Sequence, residues 1–352
     1  MDNFYDGHNS DIEIVQYALK LIRFFARNQS RENNQQYQDN KFQILQQLVN
    51  KTKKLQDMKS PQIKKFYNDE GSIINVIRVF LTEPHPILRS NAIKFFRLIL
   101  ESEKISLQYI QYSIPIFIAR SLERETKNSQ ENRQNTSSSS AYQEIDQSLK
   151  FIKKWIEITP KTFPKLLANS LVAFSENADE QIKQAAIEII RKLAVGNPQL
   201  CAWSGGIKLL IECVIDHSLQ ELSDPIIHTL LYLLNEPDYR NLVKVYLDFP
   251  KLFGVFTDID APSKSAPKTQ SQEDNRREME QFEKTLNLAK KALITMLKTW
   301  KGLIYLGNQR IAMRSLVQTL RQPIHDKIRN AIYDIIGELL ALGVKESSQL
   351  MQ

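Results

Sequence analysis

Glycine is scarce in this chain, with 10 residues among 352. That is under half of the roughly 7% found in average proteins. Phosphate-binding loops and tight β-hairpins depend on glycine because it adopts positive φ without strain. Neither G-x-x-x-x-G-K-[ST] nor G-x-G-x-x-G occurs in the sequence. A nucleotide-binding enzyme is therefore not indicated.

Cysteine is rarer still, and long apolar runs are missing. The two thiols, Cys201 and Cys213, cannot form a disulfide framework, so a reducing compartment is expected. The longest charge-free apolar stretch, 105–119, is too short to cross a bilayer and contains Ser, Gln and Pro. The first residues, MDNFYDGHNSD, lack the basic and apolar regions of a secretory signal. We expect a soluble protein of the cytoplasm.

Residues able to do chemistry are few and scattered. Cys213 and His217 have helical i, i+4 spacing, but together with Cys201 and His228 they fit no familiar zinc pattern. Buried thiols and a partly exposed histidine are the simpler interpretation. No histidine stands beside a candidate nucleophile. We therefore predict no catalytic, metal-binding or cofactor-binding residues, and no cofactor.

The net charge is +7, which permits acidic partners but is mild for this length. The densest basic cluster includes Lys51, Lys53, Lys54, Lys64 and Lys65. It is suited to anionic lipid headgroups, an acidic partner segment or nucleic acid; a solvated helix end is the simpler alternative. Aromatic residues are sparse within it, so base stacking is not supported and no nucleic acid is expected.

What the sequence does contain is a repeated helical pattern. Nine-residue segments with apolar residues at positions 1, 5, 6, 8 and 9 begin at Leu88, Ile182 and Ile226, and looser copies begin at Ile145 and Ile328. Two successive intervals, of 37 and 44 residues, are close to the roughly 40–47-residue period of armadillo and HEAT repeats. We predict an all-α, armadillo/HEAT-like helical-repeat solenoid, in which stacked helices share one apolar core.

A basic residue occupies position 2 in three of these copies, as Arg89, Lys183 and Arg329. That position adjoins a core position, so the side chain either lines a groove as a partner-binding residue or supports packing. Both interpretations stay open.

Polar tracts interrupt the repeats. We predict an N-terminal helix and polar linker over 1–40, an armadillo-like domain over 41–345, and a tail over 346–352. Within the domain, flexible inserts are expected at about 125–142 and 261–280, because these tracts lack the apolar residues that offset ordering entropy. The serines of 137–140 are candidate phosphorylation sites.

Several segments, in order along the chain, resemble the N-terminal domain of the Rictor/Pianissimo family. The shared elements are an alanine-rich helix ending in N-P, a G-G turn, a V-I-D step, an L-L-N-x-P helix end and an S-W-x-G-I-I element. Here they correspond to Ala194–Leu200, Trp203–Ile207, Val214–Asp216, Leu230–Pro237 and Thr299–Ile304. Further similarities are Leu88–Arg97, Ile118–Leu122, Leu167–Ala173, Thr257–Asp258 and Ile332–Ile335.

This resemblance implies an armadillo-like scaffold in target-of-rapamycin (TOR) complex 2. It further implies TOR kinase, a substrate-recruiting subunit and a β-propeller subunit as partners, and signalling to AGC kinases, actin and cell polarity. The expected location is the cytoplasm, with a peripheral position at anionic membranes also open. The alternatives are another armadillo/HEAT adaptor, such as a transport receptor or peptide-groove binder, or a basic module on acidic lipid or nucleic acid. Groove binders usually carry a Trp/Asn ladder, but Trp155, Trp203 and Trp300 do not share a repeat phase.

Overall fold

The computed structural model describes residues 35–57, 72–131, 139–257, 272–308, 310–322 and 324–349. Within these ranges the chain forms 16 α-helices, three short 3₁₀ segments and no β-strand. None of the described helices is long and apolar enough to cross a membrane. The chain divides into two compact units, Met1–Ala178 and Asp179–Gln352, called unit 1 and unit 2 below.

The described part of unit 1 contains seven α-helices. They are α1 (Gln35–Asp57), α2 (Ser72–Arg78), α3 (Pro86–Ile99), α4 (Glu103–Gln111), α5 (Ile114–Glu131), α6 (Ser139–Ile158) and α7 (Lys165–Asn177). Short 3₁₀ segments, Val79–Thr82 and Pro160–Thr162, precede α3 and α7.

The described part of unit 2 contains nine α-helices. They are α8 (Glu180–Gly196), α9 (Pro198–Trp203), α10 (Gly206–Val214), α11 (Gln220–Asn235), α12 (Val245–Thr257), α13 (Gln272–Leu297), α14 (Trp300–Asn308), α15 (Arg310–Leu320) and α16 (Asp326–Gln349). The 3₁₀ segment His217–Leu219 leads into α11.

Hydrogen bonds between neighbouring helices of unit 1 join residues at a nearly constant distance in sequence. Lys41 and Gln56 of α1 bond to Glu83 and to the carbonyl of Leu98, each 42 residues later. In the next layer, Arg89 bonds to Glu144, 55 residues on, and Lys154 bonds back to the Leu98 carbonyl across 56. A constant difference along two helices means that they run parallel, so α1, α3 and α6 are equivalent helices of successive repeats.

The helices α13 and α16 of unit 2 are also joined by hydrogen bonds between residues at a nearly constant distance in sequence. Lys290 and Lys298 of α13 bond to Asp334 and Glu338 of α16, across 44 and 40 residues. These differences match the roughly 40–47-residue period expected of armadillo and HEAT repeats. The predicted all-α helical-repeat fold is confirmed.

The repeat pattern also located the core. In α3, Leu88, Ala92, Ile93, Phe95 and Phe96 are all buried, as the nine-residue pattern requires. The equivalent positions 5, 6, 8 and 9 of α8 are buried as well, whereas position 1, Ile182, is only half-buried.

Unit 1 adds a cluster of packed aromatic rings. Tyr109, Phe151 and Trp155 are fully buried, and the Trp155 ring lies edge-on to the other two at 5.8 and 5.4 Å. The Tyr109 hydroxyl donates a hydrogen bond to the Phe96 carbonyl at 2.7 Å. Edge-to-face contacts and a satisfied hydroxyl stabilise the junction of α3, α4 and α6.

The polar inserts are shorter than predicted. The insert expected at about 125–142 is helical up to Glu131 and again from Ser139, and the one expected at about 261–280 is helical from Gln272. Glu, Gln, Lys and Arg extend an existing helix at little cost, so a lack of apolar residues does not by itself predict where a helix ends. The i, i+4 pair of Arg276 with Glu280, at 3.1 Å, is one such support.

Some predictions fall outside the described residues. They include the N-terminal helix, the insert segments 132–138 and 261–271, Ser137 and Ser138 of the serine tract, and residues 350–352 of the tail. The domain limits at 40 and 345 stay predictions.

Candidate partner-binding surface

Potential metal ligands do not cluster in the described part of the chain, and its two thiols are buried. No three His, Cys, Asp or Glu residues in these ranges lie close enough together to hold a metal ion. Cys201 and Cys213 are buried, and burial raises the pKa of Cys201 to about 12 and that of Cys213 to about 11. Both thiols are therefore protonated at neutral pH, which is the unreactive state.

Arg89, predicted as a candidate partner-binding residue, lies inside unit 1. Its Nε and Nη2 donate to the two carboxylate oxygens of Glu144 at 2.9 and 2.6 Å. Its Nη1 donates to the carbonyls of Glu83 and Pro84 at 2.6 and 2.7 Å. The Arg89 and Glu144 side chains are only 8% and 5% exposed. This guanidinium joins α3 to α6 and is not presented to a partner.

Two more cations extend this buried network. Lys41 Nζ of α1 lies 3.0 Å from Glu83, and Arg124 Nη1 of α5 lies 3.6 Å from Glu144. Burial lowers the pKa of Arg124, and the charge of Arg89 lowers it further. Four helices thus meet around Glu83 and Glu144, and removing one partner leaves another charge buried without compensation.

Lys183 serves a similar purpose in unit 2. Its Nζ lies 2.8 Å from Asp216, the acidic residue of the V-I-D step, and Asp216 also accepts from the backbone and hydroxyl of Ser218. Burial disfavours the charged form of both side chains, but their hydrogen bonds favour the charged form more strongly. The pKa of Lys183 is therefore raised and that of Asp216 lowered. The pair fixes α8 to the segment that begins α11.

The remaining predicted cations lie nearer the surface. Lys53 and Lys54 of α1 are exposed and Lys51 is half-buried, whereas Lys64 and Lys65 lie outside the described residues. Arg329 pairs with Asp326 one turn away on α16, at 3.1 Å. Of the position-2 residues, only Arg329 is at the surface, and the other two connect neighbouring elements.

Within the described residues of unit 2, the most exposed aromatic side chain belongs to α14. Trp300, Leu303 and Ile304 are 65%, 40% and 37% exposed, and their i, i+3, i+4 spacing places them on one side of the helix. Tyr246 of α12, 48% exposed, lies beside the C-terminal end of α14, because the Asn308 amide donates to its hydroxyl at 3.3 Å, and the 67% exposed Leu247 follows it in sequence. We call these five residues the α14 face. Large exposed apolar side chains grouped on neighbouring helices are candidates for an interaction site.

The opposite side of α14 explains why these residues face outward. A Cβ on Gly302 would lie 2.3 Å from the carbonyl oxygen of Met296, so only glycine permits this contact with α13. Tyr305 is buried against Phe249 and Phe253, at ring distances of 5.3 and 6.2 Å. With Gly302 and Tyr305 on the packed side, Trp300 and Leu303 are left at the surface.

A second surface feature lies between α5 and α7 of unit 1. A groove of about 400 Å³ is lined by Leu122, Leu166, Phe174 and the polar residues Asn169 and Ser170. These residues belong to or adjoin the segments 118–122 and 167–173 that carry the family resemblance.

Sequence reasoning found the α14 segment but not its orientation. Trp300, Leu303 and Ile304 have the spacing of a core-facing stripe, and that spacing alone predicts burial. The clue was Gly302 in the middle of the segment, since glycine inside a helix usually marks a close approach.

Comparison with known proteins gives a consistent result. The family described as "Rapamycin-insensitive companion of mTOR, N-term" matches residues 44–350. Protein pianissimo A of Dictyostelium discoideum is 25% identical over 317 residues, which cover 88% of this chain and 26% of that protein. The rapamycin-insensitive companion of mTOR of Mus musculus is 26% identical over 353 residues, covering 92% of this chain and 19% of that protein. The target of rapamycin complex 2 subunit ste20 of Schizosaccharomyces pombe is 28% identical over 159 residues, covering 45% and 12%.

Proposed function

The chain belongs to the family of the rapamycin-insensitive companion of mTOR, and from this premise we propose that it is a non-catalytic scaffold subunit of TOR complex 2. One relative carries the name of a subunit of that complex. The chain spans about a quarter or less of its relatives' length. The proposal therefore concerns the part that this helical region plays.

The α14 face is the observation that carries the proposal. It combines an exposed Trp, Leu and Ile on one helix side with an exposed Tyr and Leu of α12. Large aromatic and aliphatic side chains of this kind are the usual anchors of protein interfaces. Gly302 and Tyr305 pack α14 against α13 and α12 beneath it, which lowers the entropy lost on binding.

We assign to this face an apolar surface of another subunit of the complex. Lys301 follows Trp300, and Lys244 precedes Tyr246 by two residues. Asp248, which follows Leu247, is only 7% exposed, so the charges at the surface here are positive. A matching partner surface would present apolar side chains flanked by carboxylates, since complementary charges steer and align such contacts.

Within this function, the partners are the TOR kinase, the substrate-recruiting subunit and the β-propeller subunit. The chain would act by holding these proteins in place while the kinase phosphorylates AGC kinases that govern actin organisation and polarity. Its proposed location is the cytoplasm, peripheral to anionic membranes.

Affinity purification of the tagged full chain from its native cell, followed by mass spectrometry, tests the proposal. Recovery of the TOR kinase together with the β-propeller subunit is expected. Recovery of nuclear transport factors would instead favour another armadillo adaptor, and recovery of ribonucleoprotein would favour a nucleic-acid module. Either of these results, without the kinase, would overturn the proposal.

A further inference from the structure

The groove of unit 1 lies between two equivalent helices. The segment Ile118–Leu122 of α5 reads I-A-R-S-L, and the segment Leu167–Leu171 of α7 reads L-A-N-S-L. In both segments the first, second and fifth residues are buried and the third is exposed. Because α5 and α7 also pack against each other, we place them as corresponding helices of successive repeats, with the groove between them.

One face of α7 forms a whole side of the groove. Leu166, Asn169, Ala173 and Asn177 recur every three or four residues and all line the groove, so they follow one another along the helix. At 1.5 Å per residue, the stretch from Leu166 to Asn177 is about 16 Å long. The groove is therefore an elongated channel, open along its length to a segment of polypeptide.

The channel has an apolar floor and polar edges. Leu122 of α5 and Phe174 of α7 are buried and form the floor, whereas Asn169 and Asn177 are exposed. The Asn177 Nδ2 donates to the carbonyl of Ala173 at 3.0 Å, which leaves its Oδ1 to accept from another group. An apolar side chain fits the floor, and hydrogen-bonding groups fit the edges.

The polar edges favour an extended segment over a helix. A carboxamide donates and accepts hydrogen bonds, so Asn169 and Asn177 can pair with both the N–H and the C=O of a peptide. An α-helix satisfies these main-chain groups internally, whereas an extended segment needs partners for them. The two amides are thus useful to an extended occupant and not to a helical one.

The charge of the channel is negative toward Asn177. Among the described residues that line it, Glu123 alone is ionisable. Glu176 is exposed beside Asn177, and the last turn of α7 contains no basic residue. The C-terminal end of α7 adds the partial negative charge of the helix dipole.

Three basic residues of α5 and α7 are directed elsewhere. Arg124 lies 3.6 Å from Glu144 of α6. The Arg120 guanidinium lies 5.9 Å from the centre of the Phe117 ring, one turn nearer the start of α5. Lys165 is the first residue of α7, at the end opposite Asn177. A basic group on the occupant therefore complements the channel near Glu123.

We propose that the groove between α5 and α7 binds an extended segment of a partner protein that carries an apolar side chain beside a Lys or Arg. The apolar side chain lies over Leu122 and Phe174, the main chain bonds to the two asparagine amides, and the basic side chain pairs with Glu123. At roughly 3.3 Å per residue, about five residues span the channel. The site belongs to unit 1 and depends neither on the α14 face nor on membership of a TOR complex.

Selection from a phage-displayed library of linear six-residue peptides, on the purified full chain, tests the site. Six residues span the channel when extended but are too few to form a stable helix in water. The selected peptides are expected to combine an apolar residue with Lys or Arg. Failure to enrich any sequence, or enrichment from a twelve-residue library alone, would overturn the proposal.

Glu123→Lys gives the sharpest readout. If Glu123 recognises the basic residue, the variant should select Asp or Glu where the wild type selects Lys or Arg. A purely structural role of Glu123 does not predict such an inversion. An unchanged charge preference would contradict the proposed pairing.

A selected peptide, labelled with fluorescein, then measures affinity by fluorescence anisotropy. Asn169→Ala should weaken binding up to about 10-fold, the effect of one lost hydrogen bond, and Leu166→Glu at least as much. The matched control is Leu107→Glu, which places the same charge on α4 of the same unit, at a site 52% exposed against 42% for Leu166. All three variants should keep the wild-type unfolding midpoint. Undiminished binding by Asn169→Ala and Leu166→Glu, or an equal loss in Leu107→Glu, would place the peptide elsewhere and end the proposal.

Discussion

The two units of this chain differ in the exposure of their strongest ion pairs and of their tryptophans. In unit 1 the pairs Arg89–Glu144 and Lys41–Glu83 are buried, and Trp155 is in the core. In unit 2 the inter-helix pair Lys291–Asp224 is more than half exposed, and Trp300 is at the surface. Substitutions in unit 1 should therefore change stability, whereas those on the α14 face should change binding.

The largest effect is expected at the buried pair. Arg89→Met leaves Glu144 buried with only the more distant Arg124, and such a loss costs about 3–5 kcal/mol of unfolding free energy. Lys298→Met breaks the half-exposed pair with Glu338 in unit 2 and should cost less than about 1 kcal/mol. Urea unfolding followed by tryptophan fluorescence reports mainly on unit 1, because Trp155 is fully buried whereas Trp203 and Trp300 are already 59% and 65% exposed.

Replacing both Arg89 and Glu144 separates the effect of charge from the effect of packing. The variant carrying Arg89→Met and Glu144→Leu should recover much of the lost stability, because two apolar side chains no longer leave a charge behind. Equal destabilisation by the single and double variants would show that packing, not charge, is responsible.

The next largest change in stability is expected from substitutions of two glycines in α14. Gly302→Ala places a methyl group against the backbone of Met296 and Leu297 and should cost about 1–3 kcal/mol. Gly307→Ala on the same helix meets nothing within 4 Å, and it should stabilise by up to about 1 kcal/mol through helix propensity. Calorimetric unfolding of both variants checks the difference; a similar midpoint for the two would mean that the α13–α14 contact is loose.

The smallest effect is expected at Lys183–Asp216 and depends on pH. Because the pKa of Asp216 is lowered in the folded chain, its contribution is present above the unfolded value of about 3.9 and is lost as pH falls through the folded value. Because the pKa of Lys183 is raised, its contribution is present below the unfolded value of about 10.4 and is lost as pH rises through the folded value.

Asp216→Asn isolates this charge, since asparagine also accepts the cap hydrogen bond from Ser218. It should cost about 1 kcal/mol at pH 7 and nothing near pH 2. Asp224→Asn, at a more exposed pair, is the control and should change little at either pH. A cost at Asp216 that does not vary with pH would assign its effect to the cap alone.

The sequence predicted the parts of this fold that depend on local periodicity. The 3.6-residue pattern identified the buried faces of α3 and α8, and the repeat interval identified the stacking of parallel helices. It did not predict where polar helices end, because Glu, Lys and Gln are acceptable both in helix and in solvent.

The candidate surface was harder to predict for a physical reason. The partner of Arg89 lies 55 residues away, beyond a polar insert, so no local pattern indicates the pair. Likewise the outward orientation of Trp300 follows from a tertiary contact, that of Gly302 with α13. Both depend on contacts between helices rather than on the sequence of one helix.

One co-purification comparison tests most directly the claim that unit 2 presents the partner surface. Leu303→Glu places a charge in the middle of the α14 face, and Leu340→Glu makes the same change at a 70% exposed site on α16. Both variants should keep the wild-type unfolding midpoint, yet Leu303→Glu should reduce recovery of the TOR kinase about 10-fold or more, and Leu340→Glu should not. Undiminished recovery of the kinase with Leu303→Glu would contradict the account.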